Sequence, residues 1–323
     1  MSNRARPLSL HLLLLPALAV APAAYAVPAL AAPPPLGRAL FVRDPATVGS
    51  ERPATALLEL CKTQGVRLVL LSWDSEGPDA KAAVRFLPWA HAQGIQVYAL
   101  AGRPEWGLPP ARPGEPMGRD ALNHTLRVIE YNAGAPANER FDGILHDVDV
   151  RAAAEYRAGD PKKQQDLLST SVEILLACQR AVLHGAPELS YGAVIPGDFD
   201  ERFTSVWVEP TREGEQTRTV EAPAFEQLLR CVRLGVILTT AASPPEAILA
   251  AQEKVRCAAR LQRHFYVGLR LAAPVGVTGD GAGPMTRSDA EGVLGALGLA
   301  FATDQLYRGV ALDGYEQSLK LPP

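Results

Sequence analysis

Three acidic residues interrupt an apolar run of ten residues, FDGILHDVDV, at positions 141–150: Asp142, Asp147 and Asp149. An apolar run of this length is typical of a buried strand, along which side chains alternate between two faces. The alternation puts Leu145, Asp147 and Asp149 on one face and Ile144, His146 and Val148 on the other. Two adjacent carboxylates repel unless one is protonated or paired, and a raised pKa suits a general acid. Asp147 and Asp149 are therefore the first catalytic candidates.

The run belongs to a chain that alternates apolar, β-branched segments with longer amphipathic ones, which indicates a parallel α/β protein. Gly65 and Gly94 each end a helical segment, about 29 residues apart, as C-caps would. No glycine-rich phosphate turn follows the first strand, so a dinucleotide-binding sheet is disfavoured. The sequence predicts one α/β domain over 38–320, a (β/α)8 TIM barrel, with eight strands: 38–44, 66–73, 95–102, 141–150, 189–197, 233–240, 265–272 and 307–314.

Two further segments have a predicted place in this barrel. Residues 206–223 fit neither periodicity and are predicted to be an insertion after strand five, with a hairpin as one form. Ser288, with Glu291 three residues later, predicts a capping box at the start of the last helix. The segment 277–284 is interpreted as a loop over the mouth of the barrel, and its glycines do not match a phosphate loop.

The active site of such a barrel lies at the carboxyl ends of its strands, which selects a short set of polar and aromatic residues. Asp147 and Asp149 are interpreted as base or stabiliser and as acid, with Glu105 as a further catalytic candidate. The predicted substrate-binding residues are Trp73, Asp74, Trp106, Asp198, Arg270 and Asp313. Arg270 is either the cation that offsets the two acids or an ordinary structural partner.

Trp73 and Trp106 each closely follow a strand, and an aromatic ring there is suited to stacking on the face of a sugar. The alternative is that both rings cap the core. His146 faces the helix layer in this register and is interpreted as a hydrogen-bonded core histidine. A metal site made from His146, Asp147 and Asp149 would need a bulge to bring the three together, and no metal or other cofactor is expected.

The first 31 residues have the layout of a signal peptide with a Pro/Ala-rich leader: two arginines, an apolar run and small residues ending near Ala26 or Ala31. Export to the periplasm or the exterior is expected, with no membrane span after cleavage. The formal net charge is −3 without a basic patch, which argues against nucleic acid as a partner. The four cysteines either include a Cys178–Cys231 disulfide or are small buried residues.

The segment FDGILHDVDV, with ALAGRPEW before it and RGVALDGYEQSLKL at the end, resembles exported bacterial barrels related to glycoside hydrolases, whose fourth strand reads FDGIHLDVEP. More remotely it is similar to the DxxDxDxE pattern of the chitinase family. Asp142 and Asp147 match the first and third acids, while Leu145 replaces the second and Asp149 the final glutamate. The resemblance implies a TIM barrel and carbohydrate, or another small polar molecule, as substrate.

The two departures from the chitinase pattern leave three hypotheses. Asp149 is shorter than glutamate by about 1.5 Å, and a misplacement of about 1 Å can cost on the order of 100-fold in rate. The chain is then a secreted glycosidase that uses paired carboxylates, a catalytically degenerate carbohydrate-binding or envelope-associated barrel, or a metal-dependent hydrolase.

Overall fold

A computed structural model describes residues 33–77, 80–109, 118–209, 218–241, 243–271 and 285–314. Eight parallel strands close into a barrel in the order β1-β2-β3-β4-β5-β8-β9-β10, with β10 pairing back to β1. The predicted (β/α)8 fold is confirmed. The barrel strands are β1 Arg38–Val42, β2 Val66–Ser72, β3 Gln96–Ala101, β4 Gly143–His146, β5 Ser190–Pro196, β8 Leu234–Thr239, β9 His264–Arg270 and β10 Tyr307–Asp313.

Alternate residues of these strands fill the barrel interior, as the period of two requires. A separate apolar cluster includes Phe41, Leu145, Tyr266 and Ala311, each at most 1% exposed. The intervening residues, such as Ile144 beside Leu145, belong to the larger core under the helices. The interior is therefore a packed apolar column, and a polar group can enter it only at an end.

Helices cover the outside of the barrel. The amphipathic segments predicted between the strands form helices, and a single-turn helix, α4, precedes the longest of the described helices. The bounds are α1 Glu51–Thr63, α2 Ala80–Ala92, α3 Arg119–Gly134, α4 Ala154–Arg157, α5 Pro161–Gly185, α6 Ala224–Arg230, α7 Pro244–Arg260 and α8 Arg287–Phe301.

The helix ends confirm one prediction and correct another. Gly65 and Gly94 follow α1 and α2 with φ of 65° and 69°, the left-handed conformation that glycine adopts without strain. The capping box of α8 is formed by Thr286 and Asp289, two residues earlier than the predicted Ser288 and Glu291. Thr286 has the extended backbone that an N-cap needs, and Ser288 already lies inside the helix.

The insertion after β5 is an antiparallel hairpin of β6 Thr204–Glu209 and β7 Arg218–Pro223. It packs along α5, where Ser169 Oγ accepts a hydrogen bond from the Val206 backbone at 2.8 Å. On its other side Gln227 Nε2 donates to the Ser205 carbonyl at 2.6 Å. These bonds fix the hairpin to the helices on both sides, since a two-stranded ribbon is marginal alone.

All four cysteines are free and buried, so the Cys178–Cys231 disulfide is not formed and the buried interpretation is the correct one. Burial raises the pKa of the Cys231 thiol to about 12. Among the described residues, no helix has the length and apolarity to cross a bilayer. The predicted leader at 1–31 and the loop at 277–284 lie outside the described residues, and the barrel elements extend from Arg38 to Asp313.

Candidate site at the mouth of the barrel

Asp147 follows the last residue of β4, and its backbone N–H still bonds to the Ala101 carbonyl of β3 at 2.9 Å. This bond continues the pleat by one residue, so Asp147 points to the interior, as Leu145 does. Its Oδ2 accepts hydrogen bonds from Nη2 of Arg43 at 2.5 Å and from Nη2 of Arg270 at 2.7 Å. Asp147 therefore sits between two arginines at the carboxyl end of the barrel.

Asp313, the last residue of β10, is a second carboxylate that contacts the same two arginines. It is 2% exposed and accepts from Nε and Nη2 of Arg43 at 2.6 and 2.7 Å. Arg270 Nε also donates to Asp313 Oδ2, at 2.6 Å. We call Arg43, Asp147, Arg270 and Asp313 the mouth network. It is the top polar layer of the interior, because its members continue the inward positions of β1, β4, β9 and β10.

The electrostatics of the mouth network favour the ionised forms of Asp147 and of its two arginines. Burial alone would raise the pKa of Asp147, but the charges and hydrogen bonds of Arg270 and Arg43 hold it below its ordinary value. Burial would likewise lower the pKa of both arginines, and their bonds to the two aspartates raise it. Asp147 is thus a carboxylate that only accepts hydrogen bonds, the opposite of the raised pKa that a general acid needs.

Asp149 belongs to a second cluster. Both of its oxygens accept hydrogen bonds from Arg151, each at 2.8 Å, and Arg151 also contacts Asp198 at 3.0 Å. The arginine lies over the rings of Phe199 and Phe203, 4.3 and 4.9 Å from their centroids. We call Asp149, Arg151 and Asp198 the rim cluster.

The expectation that strand alternation aims Asp147 and Asp149 together is wrong, because β4 ends at His146. Asp149 instead caps a short 3-10 helix, Val150–Ala152, by accepting from the Arg151 backbone N–H. The helical turn redirects the chain after Asp147. The two acids consequently bind different arginines.

The ring of Trp73 is not exposed at the mouth of the barrel. It is 4% exposed and packs against Phe141, Tyr131 and His124, with centroids 5.1 to 6.1 Å away. The expectation of sugar stacking by Trp73 is corrected, and the alternative that the ring caps the core describes it. Trp106 is only partly buried, against His124 and His146 at 6.1 and 6.0 Å, and keeps part of its surface open.

Two of the remaining candidates are exposed and join neither cluster. Glu105 lies in the short helix Pro104–Gly107 that follows β3. Asp74 accepts from the Glu76 backbone at 3.1 Å and lies 4.0 Å from Arg127. Among the described residues, no hydrogen bond or ion pair joins either of them to Asp147, whose side chain contacts Arg43 and Arg270.

His146 is fully buried behind the strand and confirms the core interpretation. Its Nε2 lies 3.1 Å from Nδ1 of His124, and its Nδ1 lies 3.0 Å from the Tyr191 hydroxyl. Burial lowers the pKa of His124 to about 4 and that of His146 well below its ordinary value. The described residues contain no group of three or more His, Cys, Asp or Glu side chains arranged to hold a metal, so nothing in them supports the metal hypothesis.

Sequence reasoning missed Arg43 and Arg151, the arginines that each bind one of the two strand-four acids. Arg43 stands two positions after Phe41, so the alternation applied to β4 would have put it inside the mouth as well. Arg151 had no such signal, because its contacts depend on the turn after Asp149 and on the insertion that supplies Phe203.

The closed ring of eight parallel strands defines the class of this protein, a (β/α)8 TIM barrel. No family model matches the chain, and no curated protein matches it. Solved structures of glycoside hydrolases do. The beta-glucuronidase 2 of Bacteroides uniformis aligns over 87% of this chain and 30% of its own, with 9% identity and a TM-score of 0.55.

Two other structures extend the comparison. A glucosidase from Croceicoccus marinus aligns over 88% of this chain and 61% of its own, with 11% identity and a TM-score of 0.49. A chitinase from Chromobacterium violaceum aligns over 72% and 68%, with 12% identity and a TM-score of 0.40. The chain spans less than two thirds of the glucosidase and under a third of the glucuronidase. At these identities the similarity concerns the fold alone.

Proposed function

We propose that this protein is an exported carbohydrate-binding barrel that does not hydrolyse glycosidic bonds with its strand-four carboxylates. The observation that carries the proposal is the position of Asp147 between Arg43 and Arg270. Of the three hypotheses from the sequence, this proposal selects the catalytically degenerate barrel, with carbohydrate as its ligand.

Hydrolysis by two carboxylates needs one protonated carboxyl at the scissile bond and one ionised partner. Asp147 is held ionised by its arginines, and both oxygens of Asp149 are occupied by Arg151. Using either as an acid would require protonating a carboxylate that is paired with an arginine. That cost opposes proton transfer at neutral pH.

The mouth nevertheless keeps groups that suit sugars. Arg270 retains 29% of its side-chain exposure, so its guanidinium edge can donate to hydroxyls. Trp106, next to the exposed Glu105 in the chain, has part of its aromatic ring open for stacking on a sugar. The beta-glucuronidase 2 of Bacteroides uniformis, a protein of similar fold, is a glycosidase by its name, and the leader-like residues 1–31 support export.

The test combines a hydrolysis assay with a binding assay on the mature chain. We expect no release of reducing ends from polysaccharides, but binding on a glycan array that Trp106→Ala weakens by at least about tenfold, a loss typical of a stacking contact. Arg256→Ala, on the exposed surface of α7, is the matched control and should bind as the wild type does. Hydrolysis that Asp147→Asn abolishes would overturn the proposal in favour of a glycosidase.

A further inference from the structure

We propose that a second cavity, between α5 and the inserted hairpin, binds a saccharide ring and extends the binding surface of the mouth. We call it the α5 cavity. Its volume is about 500 Å³, and its walls include Tyr156, Gln164, Gln165, Phe203 and Thr204. This size lies within the range of pockets that hold small molecules. The inference rests on the proposed function, since it supplies a subsite for the same ligand.

The α5 cavity adjoins the mouth. Helix α5 follows β4, so its first turn starts on the face of the barrel where the strands end. Phe203 is common to both places: it lines the cavity, and Arg151 of the rim cluster lies 4.9 Å from its ring centroid. The ring of Phe203 is therefore the point at which the rim cluster and the cavity meet.

Between described residues, the hydrogen bonds that join α5 to the hairpin begin at Gln165, after the first turn of the helix. Gln165 Nε2 donates to Thr204 Oγ1 at 3.0 Å and to Glu221 at 2.8 Å. One turn further along α5, Ser169 Oγ accepts from the Val206 backbone N–H. No hydrogen bond between described residues joins Pro161 or Gln164 to the hairpin. The opening of α5 therefore stands apart from β6.

The lining chemistry matches a sugar better than an apolar ligand. Tyr156 and Phe203 provide aromatic surface for the C–H face of a ring. Gln164 Nε2 is fixed by the Tyr156 carbonyl at 3.1 Å, and Gln165 Nε2 by Thr204 and Glu221. Among the described residues neither carboxamide oxygen accepts a hydrogen bond. Two fixed acceptors beside aromatic rings suit the hydroxyl donors of a saccharide.

The inserted elements support a binding role rather than a role in closing the barrel. The barrel is complete through β5 and β8, which pair directly from Gly192–Leu234 to Pro196–Leu238. The hairpin is thus additional to the eight strands, and α5, with 25 residues, is the longest of the described helices. Loops added at this face of a TIM barrel are where such proteins place their ligand contacts.

The experiment is calorimetric titration of the full mature chain with β-1,4-linked glucose and N-acetylglucosamine oligomers, from dimers to hexamers. Gln164→Ala removes one acceptor, and Gln164→Trp fills the cavity. Lys163→Ala, on the adjacent exposed position, is the control. We expect both Gln164 variants to weaken hexamer binding by about tenfold, a single lost contact, and to leave dimer binding and the melting temperature unchanged.

The outcomes separate this inference from the proposed function. If Trp106→Ala weakens binding but both Gln164 variants bind hexamers as the wild type does, the α5 cavity is no subsite and the mouth proposal stands. If the Gln164 variants weaken binding and Trp106→Ala does not, the cavity stands and the mouth proposal falls. Wild-type protein that binds none of these oligomers, while folded, overturns both for this class of sugar.

Discussion

Asp147 and Asp149 are two residues apart in the chain, yet each is bound by different arginines. Asp147 joins Arg43 and Arg270 inside the barrel mouth, and Asp149 pairs with Arg151 on the rim. Two acids that would repel each other are instead neutralised separately. The arrangement explains how the protein holds two acids so close together in the chain.

Asp147→Asn should destabilise the fold, because it leaves Arg43 and Arg270 with Asp313 as the one remaining carboxylate that both contact. Breaking a fully buried pair costs about 3 to 5 kcal/mol, and the partial exposure of Arg43 and Arg270 lowers our expectation to about 2 to 3 kcal/mol. Urea unfolding of both proteins measures the difference. Asp198→Asn, at a side chain 79% exposed, is the control and should cost under about 1 kcal/mol. Equal losses in the two variants would contradict the assigned role of the mouth network.

Acid should destabilise the protein through its buried histidines. Burial lowers the pKa of His124 to about 4 in the folded protein, while its pKa in the unfolded chain is about 6.5. Between these pH values His124 is therefore more protonated in the unfolded chain than in the folded protein. The free energy of unfolding therefore falls as pH falls below about 6.5. His124 alone accounts for a loss of about 2 kcal/mol between pH 7 and pH 5.

Urea unfolding at the two pH values measures this loss, and His124→Leu should reduce it. His91 contributes with the opposite sign, because its hydrogen bond to Asp142 raises its pKa. Its stabilisation is complete below about pH 6.5 and is lost as pH rises. His91→Gln should therefore steepen the acid loss, and an unchanged slope in His124→Leu would refute the assignment.

Gly102→Ala should disturb the mouth from the side of β3. A Cβ at this position would lie 2.2 Å from the Asp147 carbonyl oxygen, and the φ of +151° disfavours other residues. We expect a loss of about 2 to 4 kcal/mol from the clash and the strain together. Gly292→Ala, in α8 with open space around it, should stabilise by up to about 1 kcal/mol. Thermal unfolding compares the two, and a neutral Gly102→Ala would show that residue 147 can move.

The four cysteines should resist thiol reagents in the folded protein. Each is buried and free, and burial raises the pKa of Cys61 to about 12, so little thiolate forms. Titration with a chromogenic disulfide should find no fast-reacting thiol in the native state and four after denaturation. A smaller number in the denatured, unreduced protein would reveal a disulfide and contradict the structure.

The eight strands and their order were predictable because each strand is an apolar, β-branched run that an amphipathic helical segment separates from the next. The runs at 66–73 and 307–314 differ from the observed strands by one residue at one end. The strand with the largest error was β4, where the apolar run continues to Val150 but pairing stops at His146. Hydrophobic residues indicate burial, and in this segment Val148 and Val150 are still buried after the strand has ended. The end of the strand therefore could not be predicted from hydrophobicity.

The sequence by itself determined the barrel, the inward direction of Asp147 and the outward direction of His146, since these follow from local periodicity. Only the tertiary structure decided which charges meet. Arg43 and Asp313 lie 270 residues apart in the chain and share two hydrogen bonds because β1 and β10 are neighbours when the barrel closes. Ion pairing depends on distances of a few ångströms between side chains that are remote in sequence, and no local pattern encodes those distances.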